Sequence, residues 1–288
     1  MKIAIVGANG VYGRHLTPRL VAAGHDVRAL VRRPEAGAIL RACGAELRQA
    51  DIYDAPSLEA GLAGIDLCIN VATSVPGGPS GRGSPGANDR LRREGVPLLI
   101  EACRKAGVPR LLQQGICWVG AAGEALADES HRFEAVGDGP GMASIRAAQA
   151  MEEAVSASDL DWLILRGALF YGPGTGAEDG WFAQARAGEL VLPGDGSDFA
   201  TFVHIADMAA ATAAAVARWP SRQALIVADD TPVRWRDLFG YVAALVEAEA
   251  PRTGGPVRLP GFRMSNVRAR ETLGWAPRYP DYRSGLAR

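Results

Sequence analysis

Gly7, Gly10 and Gly13 recur at every third position of the run Gly7-Ala8-Asn9-Gly10-Val11-Tyr12-Gly13. Glycines so spaced suit one task, which is to hold a pyrophosphate against bare backbone. The first permits a tight turn, the second lets the phosphates approach, and the third lets a helix sit close on a strand while the free N–H groups of its first turn face the negative charge. Arg32 and Arg33 form a second candidate group. An arginine there suits a 2′-phosphate, whereas an NAD site places Asp or Glu at that point, and the next acid is Glu35. NADP is therefore expected in preference to NAD. A third, looser set is Cys117, His131 and Ser144, with Trp118 and Arg146 nearby, residue types able to act as nucleophile or proton carrier. Each has a plain structural alternative. Cys117 could be packing, His131 a solvated loop residue, and Arg146 sits about 200° around a helix from Ser144.

These residues need elements to position them. Lys2 to Val6 is a short apolar run that predicts a strand, Val11 to Ala23 a helix closing at Gly24, and Asp26 to Val31 a second parallel strand. The resulting βαβ unit is the context that turns a glycine pattern, weak in isolation, into a dinucleotide site. Asp51 follows a strand at 45–49, where its carboxylate can meet the adenine or cap a turn. Asp66 to Ala72 reads as a buried strand whose carboxyl end, Ala72-Thr73-Ser74, should lie beside the cofactor. Val75 to Gly86 is a Pro/Gly-rich loop that could be a lid over a substrate or a simple excursion. A helix over Ala87 to Ala106, a strand over Arg110 to Gln114 and a buried strand over Asp161 to Leu165 continue the alternation. Tyr171-Gly172-Pro173-Gly174 is a turn placed to hand the chain to a smaller lobe, from which the alanine-rich helix Ala206 to Ala217 returns. The fold class expected is α/β, a Rossmann-type doubly wound parallel sheet with a small C-terminal substrate-binding lobe. Residues 1–170 would form the NADP-binding domain and 171–288 mainly the lobe.

Composition narrows the functions. The chain has 288 residues, 48% hydrophobic and 22% charged, with a formal net charge of −1. Its basic residues are interspersed with acids and form no block that would track a nucleic-acid backbone. No apolar run reaches the roughly 18 residues of a membrane span, and a strand begins at Lys2, so a signal peptide is not expected and a cytoplasmic location is. Cys43, Cys68, Cys103 and Cys117 lack C-x-x-C spacing, and His15, His25, His131 and His204 are dispersed, which speaks against a metal site or a disulfide framework. The expected partner is a small-molecule substrate, bound by a monomer or homodimer.

Taken together, the glycine run, Asp51, Val71-Ala72, Gly95 with Leu99 and Glu101-Ala102, Leu165-Arg166, Tyr171-Gly172-Pro173-Gly174, Phe202-Val203-His204 and Leu273-Gly274-Trp275-Ala276-Pro277 resemble an extended short-chain dehydrogenase/reductase of the NAD(P)-dependent epimerase/dehydratase type. The resemblance covers nearly the whole chain. It implies a cofactor face that also takes in Asn9, Val11, Tyr12, Ile52, Val71, Thr73, Gly115, Gly167 and Leu169. A substrate face would include Ser74, Trp118, Tyr171 and Trp181.

The resemblance also implies a Ser or Thr with a Tyr-x-x-x-Lys pair, in which lysine lowers the pKa of a tyrosine that moves a proton. This chain cannot supply the pair, since its only lysines are Lys2 and Lys105 and no tyrosine lies between Tyr53 and Tyr171. Aligning the helix on Glu152 puts Ser144 at the tyrosine position and Ala148 at the lysine position; one residue later gives Ile145 and Gln149. Aligning Val119-Gly120 puts Gly115 at the hydroxyl position. Ordinary ketone reduction by the family route should therefore be poor. Three functions follow in order of preference. The first is an NADP(H)-dependent oxidoreductase acting on an apolar or aromatic metabolite that carries its own acidic group, such as an enol or phenol, so that no protein tyrosine is needed. The second is a non-redox isomerase, dehydratase or cyclase, and the third a non-catalytic NADP sensor.

Overall fold

The computed structural model describes residues 1–75, 83–139 and 141–287. Its centre is a seven-stranded parallel sheet. β1 (Lys2–Val6) lies between β2 (Asp26–Val31) and β4 (Leu67–Asn70). β3 (Glu46–Gln49) flanks β2, β5 (Arg110–Ile116) flanks β4, and strands Asp161–Gly167 and Gln223–Val227 continue the row beyond β5. Ile3 stands opposite Val27 on one side and Leu67 on the other, and Val6 opposite Leu30 and Asn70. The chain thus runs outward from β1 through β2 and β3, then restarts on the other side at β4. Open α/β sheets bind ligands at the carboxyl ends of the two strands flanking such a reversal.

Among the described residues up to Ser156 there are six α-helices: α1 (Val11–Ala22), α2 (Ala38–Ala42), α3 (Ala55–Leu62), α4 (Pro85–Arg90), α5 (Val96–Ala106) and α6 (Met142–Ser156). α5 buries Val96, Leu99, Ile100 and Cys103, the i, i+3, i+4, i+7 stripe of an amphipathic helix. That stripe shares a core with Leu58 and Leu62 of α3 and with Cys68 and Leu111 of the sheet. Each fully buried Leu or Ile there stabilises the fold by about 1.5–3 kcal/mol.

The single helix expected over Ala87 to Ala106 starts earlier and is interrupted. Ser84 Oγ accepts the Ala87 N–H at 3.1 Å and Pro85 opens the helix, so Pro85 and Gly86 belong to α4 and not to a loop. The lid expected over Val75 to Gly86 falls in its main part, Pro76 to Arg82, outside the described residues. Between α4 and α5 lies a π-helical turn, Leu91–Gly95. Pro97 follows it, and having no N–H to give to the Arg93 carbonyl it favours a break in the regular ladder there.

The chain divides into two compact units. One comprises 1–115, 146–166 and 209–224; the other comprises 116–145, 167–208 and 225–288. The division is discontinuous: the stretch 116–145 belongs to the second unit, and helix Ile205–Arg218 contributes residues to both. In the second unit, strand Leu169–Tyr171 runs parallel to Phe202–His204, and Val191–Pro193 parallel to Arg252–Gly255.

Candidate functional site

The first unit holds the glycine loop. Gly7 has φ +84°, and a Cβ there would lie 2.5 Å from the Ala72 Cα, so neither the conformation nor the space admits a side chain. A Cβ on Gly13 would meet the Ala8 carbonyl oxygen at 2.3 Å, which is the close strand–helix packing the spacing predicts. Gly10 is the N-cap of α1 and offers no side chain to the first-turn N–H groups. The loop is braced by Asn9, whose Oδ1 accepts from Arg14 Nε and Nη2 at 3.3 and 3.0 Å. A helix of twelve residues with uncapped N–H groups behind a glycine cradle fits a dinucleotide pyrophosphate.

The other expected cofactor residues are distributed as follows. Arg32 and Arg33 are exposed just past β2, and neither guanidinium has an ion-pair partner among the described residues. Asp51 is half-buried, and its Oδ1 accepts the Tyr53 N–H at 3.0 Å, an Asx turn that gives it the capping role as well. Ile52 is buried. Tyr12 turns inward, its hydroxyl bonded to Thr212, and burial pushes the phenol pKa up; only its backbone can face a phosphate. Val71 is buried, Ala72 half-buried and Thr73 exposed, in the segment leaving β4.

That segment is held by side chains that the glycine pattern does not point to. Asn70 Nδ2 donates to Gln113 Oε1 at 2.9 Å, and Asn70 Oδ1 accepts the Ala72 N–H at 3.1 Å. Asn88 Oδ1 accepts the Ser74 N–H at 2.9 Å, so that backbone donor is already taken. The available signal was a polar residue closing an apolar strand, Leu67-Cys68-Ile69-Asn70, and Asn88 on the buried side of α4.

Gly115 ends up beside a buried ion pair. Glu152 and Arg166 join through Arg166 Nε to Oε1 at 3.0 Å and Nη2 to Oε2 at 2.8 Å, a two-pronged pair with both side chains nearly buried. A Cβ on Gly115 would lie 3.0 Å from Glu152 Oε1. Arg92 is buried in the same unit, 3.8 Å from Asp89 Oδ1, and burial holds its pKa below the usual arginine value against the pull of Asp89 and Glu152.

The second unit receives the expected catalytic residues and, Ser74 apart, the expected substrate residues, and several change role. Cys117 opens a 3-10 turn and is fully buried, so its thiol is a small core group and not an approachable nucleophile. His131 is exposed, with its Nδ1 3.2 Å from the Asp128 backbone nitrogen and 3.2 Å from Asp128 Oδ1. Asp128 is held down to about 2 by hydrogen bonds from Ser130 and then from His131. This is a tied surface turn. Ser144 is half-buried in the first turn of α6, and Arg146 is exposed.

Tyr171 is 1% exposed and donates to the Asp281 carbonyl at 3.2 Å, with the rings of Phe202 and His204 edge-on to it. It is a core residue where a substrate contact was expected, because the strand pairing with Phe202–His204 turns it inward. Trp181 is half-buried with its ring 5.8 Å from Phe202 and 5.9 Å from Phe239, which makes it chiefly packing. Gly167 and Leu169 are fixed by packing and pairing: a Cβ on Gly167 would meet Phe170 at 2.7 Å, and the Leu169 N–H donates to the Thr201 carbonyl at 3.0 Å. Trp118 is placed differently. Its half-buried ring lies 5.6 Å from Phe262, and its Nε1–H is a donor with no hydrogen-bond partner among the described residues.

The glycine cradle, the reversal of strand order and the loop leaving β4 define a dinucleotide-binding enzyme fold, and the chain belongs to the NAD(P)H-binding family, whose model matches residues 7–218. Its fold is shared with solved nucleotide-sugar dehydratases and epimerases. It is 35% identical to the 3-diazoavenalumate denitrifying reductase of a Streptomyces species over 100% of both chains. It is 32% identical to the 4-hydroxy-2-methyl-3-oxo-4-farnesyl-3,4-dihydroquinoline-1-oxide ketoreductase of Stigmatella aurantiaca, over 46% of this chain and 39% of that one. Among solved structures, the dTDP-glucose 4,6-dehydratase DesIV of Streptomyces venezuelae, with NAD and TYD bound, superposes with a TM-score of 0.84 at 20% identity, covering 100% of this chain and 95% of that one. No helix among the described residues is long and apolar enough to cross a membrane.

Proposed function

We propose that this chain is an NADP(H)-dependent reductase that removes a diazo group from a small apolar or aromatic carboxylate, leaving hydrogen where nitrogen departs. The observation that carries the reading is the full-length match to a denitrifying reductase in a chain that has no Tyr-x-x-x-Lys.

The chemistry explains why that pairing makes sense. Reduction of a ketone leaves an alkoxide that must take a proton, and a positioned acid contributes about 10²- to 10⁴-fold to such a step. An aryl diazonium needs no such acid. Hydride adds to its terminal nitrogen to give a diazene; the aryl C–N bond then breaks, dinitrogen leaves, and the N–H proton passes to the ring carbon. Both electrons come from the hydride and no proton is drawn from the protein. The nicotinamide, when bound, supplies that hydride.

The chain's own residues bind and orient. Gly7, Gly10 and Gly13 with the first turn of α1 would hold the pyrophosphate, and Arg32 and Arg33 the 2′-phosphate. Asn70 and Asn88 fix the Val71–Ser74 segment. The unclaimed Trp118 N–H supports a role as donor to an oxygen or nitrogen of the substrate, with the indole face against its apolar body.

The experiment is a substrate panel followed by nicotinamide absorbance, with an aryl diazonium carboxylate, the corresponding aryl ketone and a nucleoside-diphosphate sugar. The reading expects oxidation of NADPH with the diazonium and little with the ketone. Ketone reduction at comparable rates would favour a ketoreductase instead. Product from the sugar without net oxidation would favour a non-redox isomerase or dehydratase.

A further inference from the structure

Asp229 follows strand Gln223–Val227 in the second unit and is 2% exposed. Its Oδ1 accepts the Thr231 N–H at 3.2 Å, while its Oδ2 is buried with no hydrogen-bond partner among the described residues. The groups whose charge acts on it are mostly acids: Asp230 beside it, Asp281 at the N-cap of helix Tyr282–Leu286, and Asp207 on helix Ile205–Arg218. Tyr171 also faces it, with His204 5.2 Å from the Tyr171 ring.

The other three carboxylates are provided with donors. Asp207 accepts the N–H groups of Arg278 and Tyr279 at 3.0 and 2.8 Å. Asp230 takes Asn266 Nδ2 at 2.7 Å and Arg270 Nη1 at 3.0 Å. Asp281 accepts the Ser284 N–H at 2.7 Å. Asp229 alone among the four keeps a bare buried oxygen. A carboxylate so placed is costly, whereas the neutral acid carries an O–H that can donate. Burial first, then the neighbouring carboxylates, push its pKa up to about 8, against the pull of the Thr231 N–H.

The same acids clip down the C-terminal segment. Besides the two amides on Asp207, the Asp230 N–H donates to the Pro280 carbonyl at 2.9 Å, and Tyr171 donates to the Asp281 carbonyl. We propose that Asp229 is a proton-dependent latch, neutral while the segment Arg278 to Leu286 is docked and ionised once that segment lifts. This goes beyond the proposed reaction and does not depend on it.

The sign follows from linkage. The docked state holds a proton that the lifted state, with an ordinary carboxyl near pH 4, gives up. Docking is therefore firmest below about pH 4, weakens by up to about tenfold per pH unit toward about pH 8, and is flat above that.

Hydrogen exchange on the whole chain between about pH 5 and about pH 8, corrected for intrinsic exchange, tests this. Protection of residues 278–286, measured against β1, should fall by up to about tenfold per unit in the wild type and stay flat in Asp229→Asn. A flat wild-type profile, or the same slope in both proteins, overturns the latch. Should Asp229→Asn fail to fold, the infrared carbonyl band of a protonated buried carboxyl in the wild type at neutral pH takes its place. The latch requires that band, and its absence overturns it.

Discussion

Glu152 stands where a side chain on Gly115 would have to go, its Oε1 3.0 Å from the position of that Cβ. The same carboxylate is held from the other side by Arg166. The position that the sequence resemblance aligns with a hydroxyl residue is thus flanked by a buried ion pair, and glycine fits beside it.

Gly115→Ser should therefore destabilise the protein by about 1–3 kcal/mol, the usual cost of forcing extra atoms into packed surroundings, without conferring ketone reduction. Chemical denaturation checks the first part and a ketone assay the second. A stable variant that reduces ketones would contradict both.

Arg32→Ala with Arg33→Ala should weaken NADP binding by about 1.5–3 kcal/mol for each charge-assisted hydrogen bond to the 2′-phosphate that it removes, and leave NAD binding unchanged. Calorimetry with both dinucleotides decides it. Equal affinities of the wild type for NADP and NAD, or an unchanged NADP affinity in the double variant, would show that the two arginines are merely solvated.

Putting Tyr and Lys at 144 and 148 places both on one face of α6, four residues apart. Ala148 is fully buried, so a lysine ammonium there would be taken out of water, at a cost of about 3 kcal/mol or more. We expect Ser144→Tyr alone to obstruct native turnover with NADP affinity kept, and the addition of Ala148→Lys to lower the melting temperature as well. Faster native turnover in either variant would mean that the chain is an impaired family reductase.

Trp118→Phe removes the unpartnered indole N–H while keeping an aromatic face against Phe262. Its stability should hold or rise, since a buried donor left unpaired costs about 1–3 kcal/mol. KM for the diazo acceptor should rise with kcat little changed. An unchanged KM would return Trp118 to the core.

What was legible in the sequence was what is local. The strand, glycine turn and helix from Lys2 to Ala22 declare themselves because the turn, the N-cap and the apolar run are contiguous. The partners of Gly115 are not contiguous. Glu152 and Arg166 arrive from a helix and a strand 37 and 51 positions on, and in the sequence Glu152 served only to set the register of α6. Tyr171 was placed on a substrate face by resemblance, but its burial depends on pairing with Phe202–His204 and on a carbonyl at Asp281. Cys117 and the discontinuous units likewise depend on long-range packing that neither composition nor periodicity records.

In the proposed reaction, hydride transfer expels nitrogen and needs no acid from the protein. Its most direct test is the ratio of dinitrogen released to NADPH oxidised, measured in one vessel with an aryl diazonium carboxylate. About one dinitrogen should be released per NADPH, with the ring product carrying hydrogen at the vacated carbon. NADPH oxidised with nitrogen retained in the product, or dinitrogen released without NADPH oxidation, would contradict it.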